Sequence, residues 1–210
     1  ELCYVCLPYC MADSRSIGRS AMTDAQPTLS EEQIAGIANR LNRPIALVGL
    51  MGVGKSTIGR RLANALGRTF VDADDAIEEA AQRKVSEIFE QFGEDYFRDG
   101  ERRVIARLIG EQDGVIATGG GAFVNDETRA LILDQAIAVW IDCEIETLVE
   151  RTARKNTRPL LKTGDPREIL SKLYDDRKGF YAQAPIHVMS DAGPHGYTVA
   201  NILEALDTWL

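Results

Sequence analysis

Apolar residues along this chain follow two rhythms. Short unbroken runs occur at Ile45 to Val48, Thr69 to Asp72, Gly114 to Thr118, Ile137 to Asp142 and Pro185 to Ser190. Runs of this length predict strands buried on both faces of a sheet. Between them, apolar side chains recur at helical spacing. Ile58, Leu62, Ala65 and Leu66 form one such stripe, ended by Gly67 as a C-terminal stop. Phe97, Val104, Ile105, Leu108 and Ile109 form another, and Val199, Ile202, Leu203, Leu206 and Trp209 form the last. Ser30-Glu-Glu-Gln33 reads as a capping box that opens a short helix over 30–42. That helix carries Ile34, Ile37, Ala38 and Leu41 on one face. Alternating strand and helix implies right-handed crossovers and a five-stranded parallel sheet covered by helices on both faces.

In such a sheet, ligands sit at the carboxyl ends of the strands, so the residues ending each run matter most. The first run leads into Gly49-Leu-Met-Gly-Val-Gly54-Lys55-Ser56, the P-loop pattern. Its glycines let backbone N–H groups curl around phosphate oxygens, and the helix that follows points its positive end at the same anion. Lys55 then reaches the β- and γ-phosphates, and the Ser56 hydroxyl is placed to ligate Mg²⁺. The plain alternative is a glycine turn joining a strand to a helix. The strand before it and the helix after it favour a site for ATP or GTP. The fold class this predicts is the three-layer α/β fold of P-loop kinases.

The second run ends in Asp72-Ala-Asp74-Asp75. Phosphoryl transfer needs a carboxylate near the metal and a group that orients the attacking hydroxyl. Asp72 and Asp74 are read in those roles, and Asp75 as a cap on a helix over Ala76 to Ala81. The third run ends in Gly119-Gly120-Gly121. A loose loop would explain it, but three glycines also suit direct packing on backbone, or N–H groups facing an anion. Among the arginines, Arg60, Arg61, Arg83 and Arg107 read as solvated surface residues. Arg158 differs: it lies with Pro159, Lys162, Gly164 and Pro166 between two helices. That composition suits a mobile lid over 156–168, which would close on the γ-phosphate and exclude water.

Charge and composition narrow the partners. The chain has 24 basic and 32 acidic residues among 210, a formal net charge of −8, and no basic run, which argues against nucleic acid. No apolar stretch approaches the roughly 20 residues of a membrane span, so a cytoplasmic location, away from membranes, is expected. Cys3, Cys6 and Cys10 have metal-like spacing, but no fourth ligand lies nearby and both histidines are distant. Residues 1–29 show no periodicity and are expected to be a flexible tail, leaving 30–210 as a single domain with its core at 44–210. Cys143 reads as an ordinary small residue after a strand.

Together these motifs resemble the shikimate kinases over residues 44–210. The match rests on the Gly-x-x-Gly-x-Gly-Lys-Ser loop, Asp72-x-Asp74, Gly93-Glu-x-x-Phe-Arg98-x-x-Glu101, Gly119-Gly-Gly, Arg158-Pro-Leu-Leu, and Arg177 with Tyr181 and Ala184. The resemblance implies transfer of the γ-phosphoryl of ATP to the 3-hydroxyl of shikimate, a step of aromatic amino-acid biosynthesis, by a monomer. It implies Lys55, Asp74 and Arg158 as catalytic residues. Gly52, Val53, Gly54, Lys55, Ser56 and Thr57, with Arg151 and Arg158, would hold ATP. Arg151 and the loop from Asp191 to Pro194 would lie near adenine. Asp74, Arg98, Gly119, Gly120, Gly121 and Arg177 would hold shikimate, with the two arginines clamping its carboxylate. Ser56, and Asp72 through water, would hold Mg²⁺. Rival readings are another small-molecule P-loop kinase of the gluconate kinase type, and a catalytically silent nucleotide-binding module.

Overall fold

The structure, a computed structural model, describes residues 29–111, 113–153, 164–190, 193 and 195–210. Five strands, β1 (Ile45–Val48), β2 (Phe70–Asp72), β3 (Val115–Ala117), β4 (Ile137–Asp142) and β5 (Ile186–Met189), form one sheet in the order β2-β3-β1-β4-β5. Every neighbouring pair is parallel, and Ile45 of the central strand stands level with both Val115 and Ile137. All four residues of β1 and all six of β4 are buried, which explains why their sequences read as unbroken apolar runs. Cys143 directly follows β4 and is buried.

The helices follow from this strand order. α2 (Lys55–Leu66) carries the chain from the centre of the sheet to one edge. α3 (Ala73–Ala81) and α4 (Val85–Glu111), then α5 (Asp126–Gln135), then α6 (Ile145–Ala153) and α7 (Pro166–Tyr181), carry it back the other way. Right-handed crossovers therefore put α2 on one face and the later helices on the opposite one. α8 (His195–Trp209) returns to pack on α2, and α1 (Glu31–Arg40) packs on both.

α1 is joined to the core by side chains as well as by apolar contact. Its capping box is formed, with the Ser30 hydroxyl accepting from Gln33 N–H and the Gln33 carboxamide from Ser30 N–H. Ile37 and Leu41 are buried. Arg68, two residues past α2, donates to the Ala38, Leu41 and Asp113 carbonyls at 2.8, 3.0 and 2.5 Å, so it occupies acceptors that the end of a helix leaves open.

Three local expectations change, and one helix break has no counterpart in the sequence pattern. The helix after β2 begins at Ala73, and its cap is Asp72, whose carboxylate accepts from Asp74 N–H. Asp72 is the last extended residue (φ −94°, ψ 122°), so it, and not Asp75, has the geometry of a cap. In α2, Ala63 is buried and Ala65 is exposed, because the core-facing stripe is completed on the other side of Leu62. Trp209 is exposed at the end of α8, with the Arg43 guanidinium over its ring. α4 is broken at Gly93 (φ 82°, ψ 178°), a conformation costly for other residues. The break separates Val85–Phe92 from the segment bearing Phe97, Ile105, Leu108 and Ile109, all buried.

Candidate active site

The loop after β1 wraps into α2 through three glycines with positive φ: Gly49 (135°), Gly52 (90°) and Gly54 (99°). Gly54 stands at the N-terminus of α2, with Lys55, Ser56 and Thr57 in the first turn. Lys55 Nζ donates to the carbonyls of Gly49 and Leu50 at 2.7 and 2.9 Å. Its ammonium thus lies across the mouth of the loop. The Ser56 hydroxyl donates to Asp72 Oδ2 at 2.6 Å. Two hard oxygen donors, one from the first turn of α2 and one from the end of β2, are therefore held side by side, a donor set that suits Mg²⁺ completed by water and phosphate oxygens.

A second group of residues gathers around the triple glycine after β3. A side chain on Gly119 would lie 2.7 Å from Glu101 Oε1 and 2.9 Å from Asp74 Oδ1. One on Gly121 would meet the Arg98 guanidinium, with Nη1 at 2.7 Å, and one on Gly120 would lie 3.9 Å from Arg177 Nη1. Asp74 from the first turn of α3, Arg98 and Glu101 from α4, and Arg177 from α7 thus converge on one stretch of bare backbone. These glycines leave the volume that the surrounding charged groups fill. The Gly120 carbonyl accepts from Arg177 Nη1 at 3.2 Å and from the buried Tyr181 hydroxyl.

The charges in this cleft are mutually coupled. Asp74 faces open solvent, yet the protein around it displaces enough water to raise its pKa above the usual carboxylate range. Asp72 adds to the rise, and Lys55 works against it. Glu101 is buried, and burial raises its pKa although Arg98, 2.6 Å away, pulls the other way. Burial also works against the Arg98 charge, but Glu101 and Glu94 outweigh it and hold the guanidinium more firmly protonated. A side chain on Gly120 would lie 3.4 Å from Met51 N and 3.7 Å from the Gly49 carbonyl oxygen, so the phosphate loop and the glycine cluster belong to one cleft. Arg151, on α6, lies behind the loop and donates to the Val53 carbonyl at 3.2 Å.

Arg158 and most of 156–168 lie outside the described residues, as do Asp191, Ala192 and Pro194 of the loop expected near adenine. Glu101 and Tyr181 stand within the family motifs, and the sequence alone assigns neither a task. The signal for Glu101 was an acid three residues after Arg98, on a helix face otherwise occupied by Phe97, Ile105 and Leu108. Ser190 and Thr198, both buried, were also missed, because a lone hydroxyl in an apolar stretch carries little signal.

A central parallel strand feeding a glycine loop, a lysine across its mouth and a serine–aspartate pair beside it define a P-loop phosphotransferase. Comparison with known proteins narrows the class. The shikimate kinase family model matches residues 51–207. The shikimate kinase of Novosphingobium aromaticivorans is 58% identical over 186 residues, covering 87% of this chain and 96% of that one. That of Caulobacter vibrioides is 55% identical over 164 residues, covering 78% and 82%. The chain belongs to the shikimate kinase family, whose members use ATP as phosphoryl donor. Among solved structures, shikimate kinase from Acinetobacter baumannii, in complex with shikimate, superposes with a TM-score of 0.75 at 35% identity, covering 79% and 93%. A gluconokinase from Sinorhizobium meliloti, at 20% identity and a TM-score of 0.59, shares the fold alone.

Proposed function

We propose that this chain transfers the γ-phosphoryl group of ATP to the 3-hydroxyl of shikimate, giving shikimate 3-phosphate and ADP. The observation that carries the reading is the convergence of Asp74, Glu101, Arg98 and Arg177 on Gly119–Gly121, within electrostatic reach of Lys55. An acceptor held there places one face toward a carboxylate and another toward two guanidinium groups.

In this reading the acceptor carboxylate pairs with Arg98 and Arg177, whose planar donors favour bidentate binding. The glycine N–H groups line the ring. Asp74 accepts hydrogen bonds from the ring hydroxyls and aims the 3-oxygen at the γ-phosphorus. As that oxygen bonds to phosphorus, the bond from phosphorus to the β-bridging oxygen breaks, and the hydroxyl proton goes to Asp74. A pKa above the usual carboxylate range makes Asp74 a better proton acceptor than a free aspartate. Gly52 to Thr57 hold the ATP phosphates, with Lys55 on the β- and γ-oxygens and Arg151 toward the nucleoside. Ser56 and Asp72 would hold Mg²⁺, which when bound neutralises charge on the β- and γ-phosphates. Arg158 is assigned to the γ-phosphate by its family motif. A monomeric state and a cytoplasmic location belong to the same reading.

The test is an ADP-release assay with shikimate and gluconate as rival acceptors. Release that depends on shikimate, vanishes in Asp74→Asn and requires Mg²⁺ supports the reading. Preference for gluconate, or acceptor-independent release equal to the full rate, refutes it.

A further inference from the structure

Behind the phosphate loop lie two buried hydroxyls to which neither the sequence motifs nor the reaction assigns a task. Ser190, at the end of β5, is 1% exposed, and Thr198, in the first turn of α8, is 3% exposed. Arg151 Nη1 donates to the Ser190 hydroxyl and to the Val53 carbonyl, each at 3.2 Å. The Ser190 hydroxyl in turn donates to the Val53 carbonyl and accepts from Thr198 Oγ1, both at 3.4 Å. A hydroxyl has one donor and two acceptor positions. Here all three are taken, by groups from the phosphate loop, α6 and α8. The Ser190 backbone N–H is bound as well, to the Asp142 carbonyl at 2.7 Å. The side chain therefore has a single satisfied direction.

The same turn of α8 braces the next residue of the loop. His195 is three residues before Thr198 and shares its side of the helix. A side chain on Gly54 would lie 3.0 Å from His195 Cε1. Thr198 thus reaches Val53 through Ser190, while His195 packs behind Gly54. Both residues belong to the segment expected to cradle phosphate.

We propose that Ser190 and Thr198 are positioning residues for the nucleotide: they lock the Arg151 guanidinium and the Val53 carbonyl into one fixed arrangement. This rests on the reading that Arg151 faces ATP. Neither hydroxyl touches the acceptor cleft, so their effect falls on nucleotide affinity and spares shikimate affinity. A general structural role would not produce that split.

The experiment is calorimetric titration of ADP, and separately of shikimate, into the full chain and its variants. Thr198→Val, which keeps the shape and deletes only the donor, accompanies Ser190→Ala. Ser190→Ala is expected to weaken ADP binding on the order of fivefold, Thr198→Val by less, and shikimate binding to stay unchanged in both. In an Arg151→Ala background, Ser190→Ala is expected to add less than it costs alone, leaving only its direct bond to the Val53 carbonyl to lose. Unchanged ADP affinity in both single variants, equal weakening with and without Arg151, or a matching loss of shikimate affinity overturns the proposal. If Arg151→Ala itself binds ADP normally, the placement of Arg151 at the nucleotide falls, and this proposal with it. If Arg151→Ala binds weakly while both hydroxyl variants bind normally, the proposal falls alone.

Discussion

Adding one methyl group at Gly119 separates the two halves of the acceptor cleft. Gly119 has no left-handed backbone requirement, so Gly119→Ala leaves the main chain free to keep its path. The new carbon would stand 2.7 Å from Glu101 Oε1 and 2.9 Å from Asp74 Oδ1. Ordinary contact for such a carbon begins at 3.4 Å, so the two oxygens retreat by about 0.7 and about 0.5 Å. Neither retreats easily. Glu101 is buried and tied to Arg98, and the Asp74 side chain is short and leaves the first turn of α3, so its carboxylate can swing through only a small arc. Misplacing a reacting group by 1 Å costs roughly a hundredfold in rate, so about half that displacement predicts a fall in kcat of about tenfold, or ~1.4 kcal/mol. At Gly121 the methyl meets the far end of Arg98, a long side chain that can swing away. Gly121→Ala is therefore expected to raise the KM for shikimate more than it lowers kcat. Steady-state assays with both substrates varied, alongside thermal melts, measure the split. Wild-type kcat in a folded Gly119→Ala variant would refute the reasoning, as would the reverse pattern between the two alanines.

Removing one clamp, in Arg98→Ala, leaves the acceptor carboxylate short of a charged partner and is expected to cost about 2 kcal/mol, near thirtyfold in shikimate KM; an unchanged KM would contradict the assignment. Because the folded protein raises the pKa of Asp74, it binds that proton more tightly than the unfolded chain does. Stability from this group is present below the ordinary carboxylate range and is lost as pH rises through the raised value. Asp74→Asn is thus expected to abolish turnover while gaining in melting temperature relative to wild type as pH rises from 4 to 7, and a constant difference across that range would count against it. Arg68→Ala strips three carbonyls of their donor and is expected to cost about 2 kcal/mol, roughly 6 °C in Tm, with both KM values unchanged; full thermal stability would show that α1 is held by apolar contact alone.

Much of the fold was legible because burial on both faces leaves a strong trace. The runs at Ile45 and Ile137 became β1 and β4, the edge strand β5 buries only alternate residues, and the P-loop pattern located the turn out of the sheet. The ends of elements were less legible, because capping depends on the φ and ψ of one residue. Asp72, Asp74 and Asp75 offer the same carboxylate within four positions, and only the extended conformation of Asp72 selects it. The break in α4 was hidden for a related reason: glycine inside an apolar-periodic stretch permits a left-handed turn without requiring one. Chemistry-bearing types in a fixed order pointed to the glycine cluster and the arginines around it. The bonds that join them were invisible, since Glu101 to Arg98 and Tyr181 to Gly120 depend on how separate helices meet over the sheet. The hydroxyls behind the loop had no distinguishing neighbours in the chain at all.

One consequence follows from the two hydrogen bonds that Arg177 and Tyr181 make to the Gly120 carbonyl. Both donors belong to the last turns of α7, whose first residue is Pro166. The glycine cluster after β3 is therefore bolted to the helix that follows the connection from α6. A shift of that helix along its axis would carry the Gly120 carbonyl with it, and so disturb the glycine cluster on which Asp74, Arg98 and Glu101 converge.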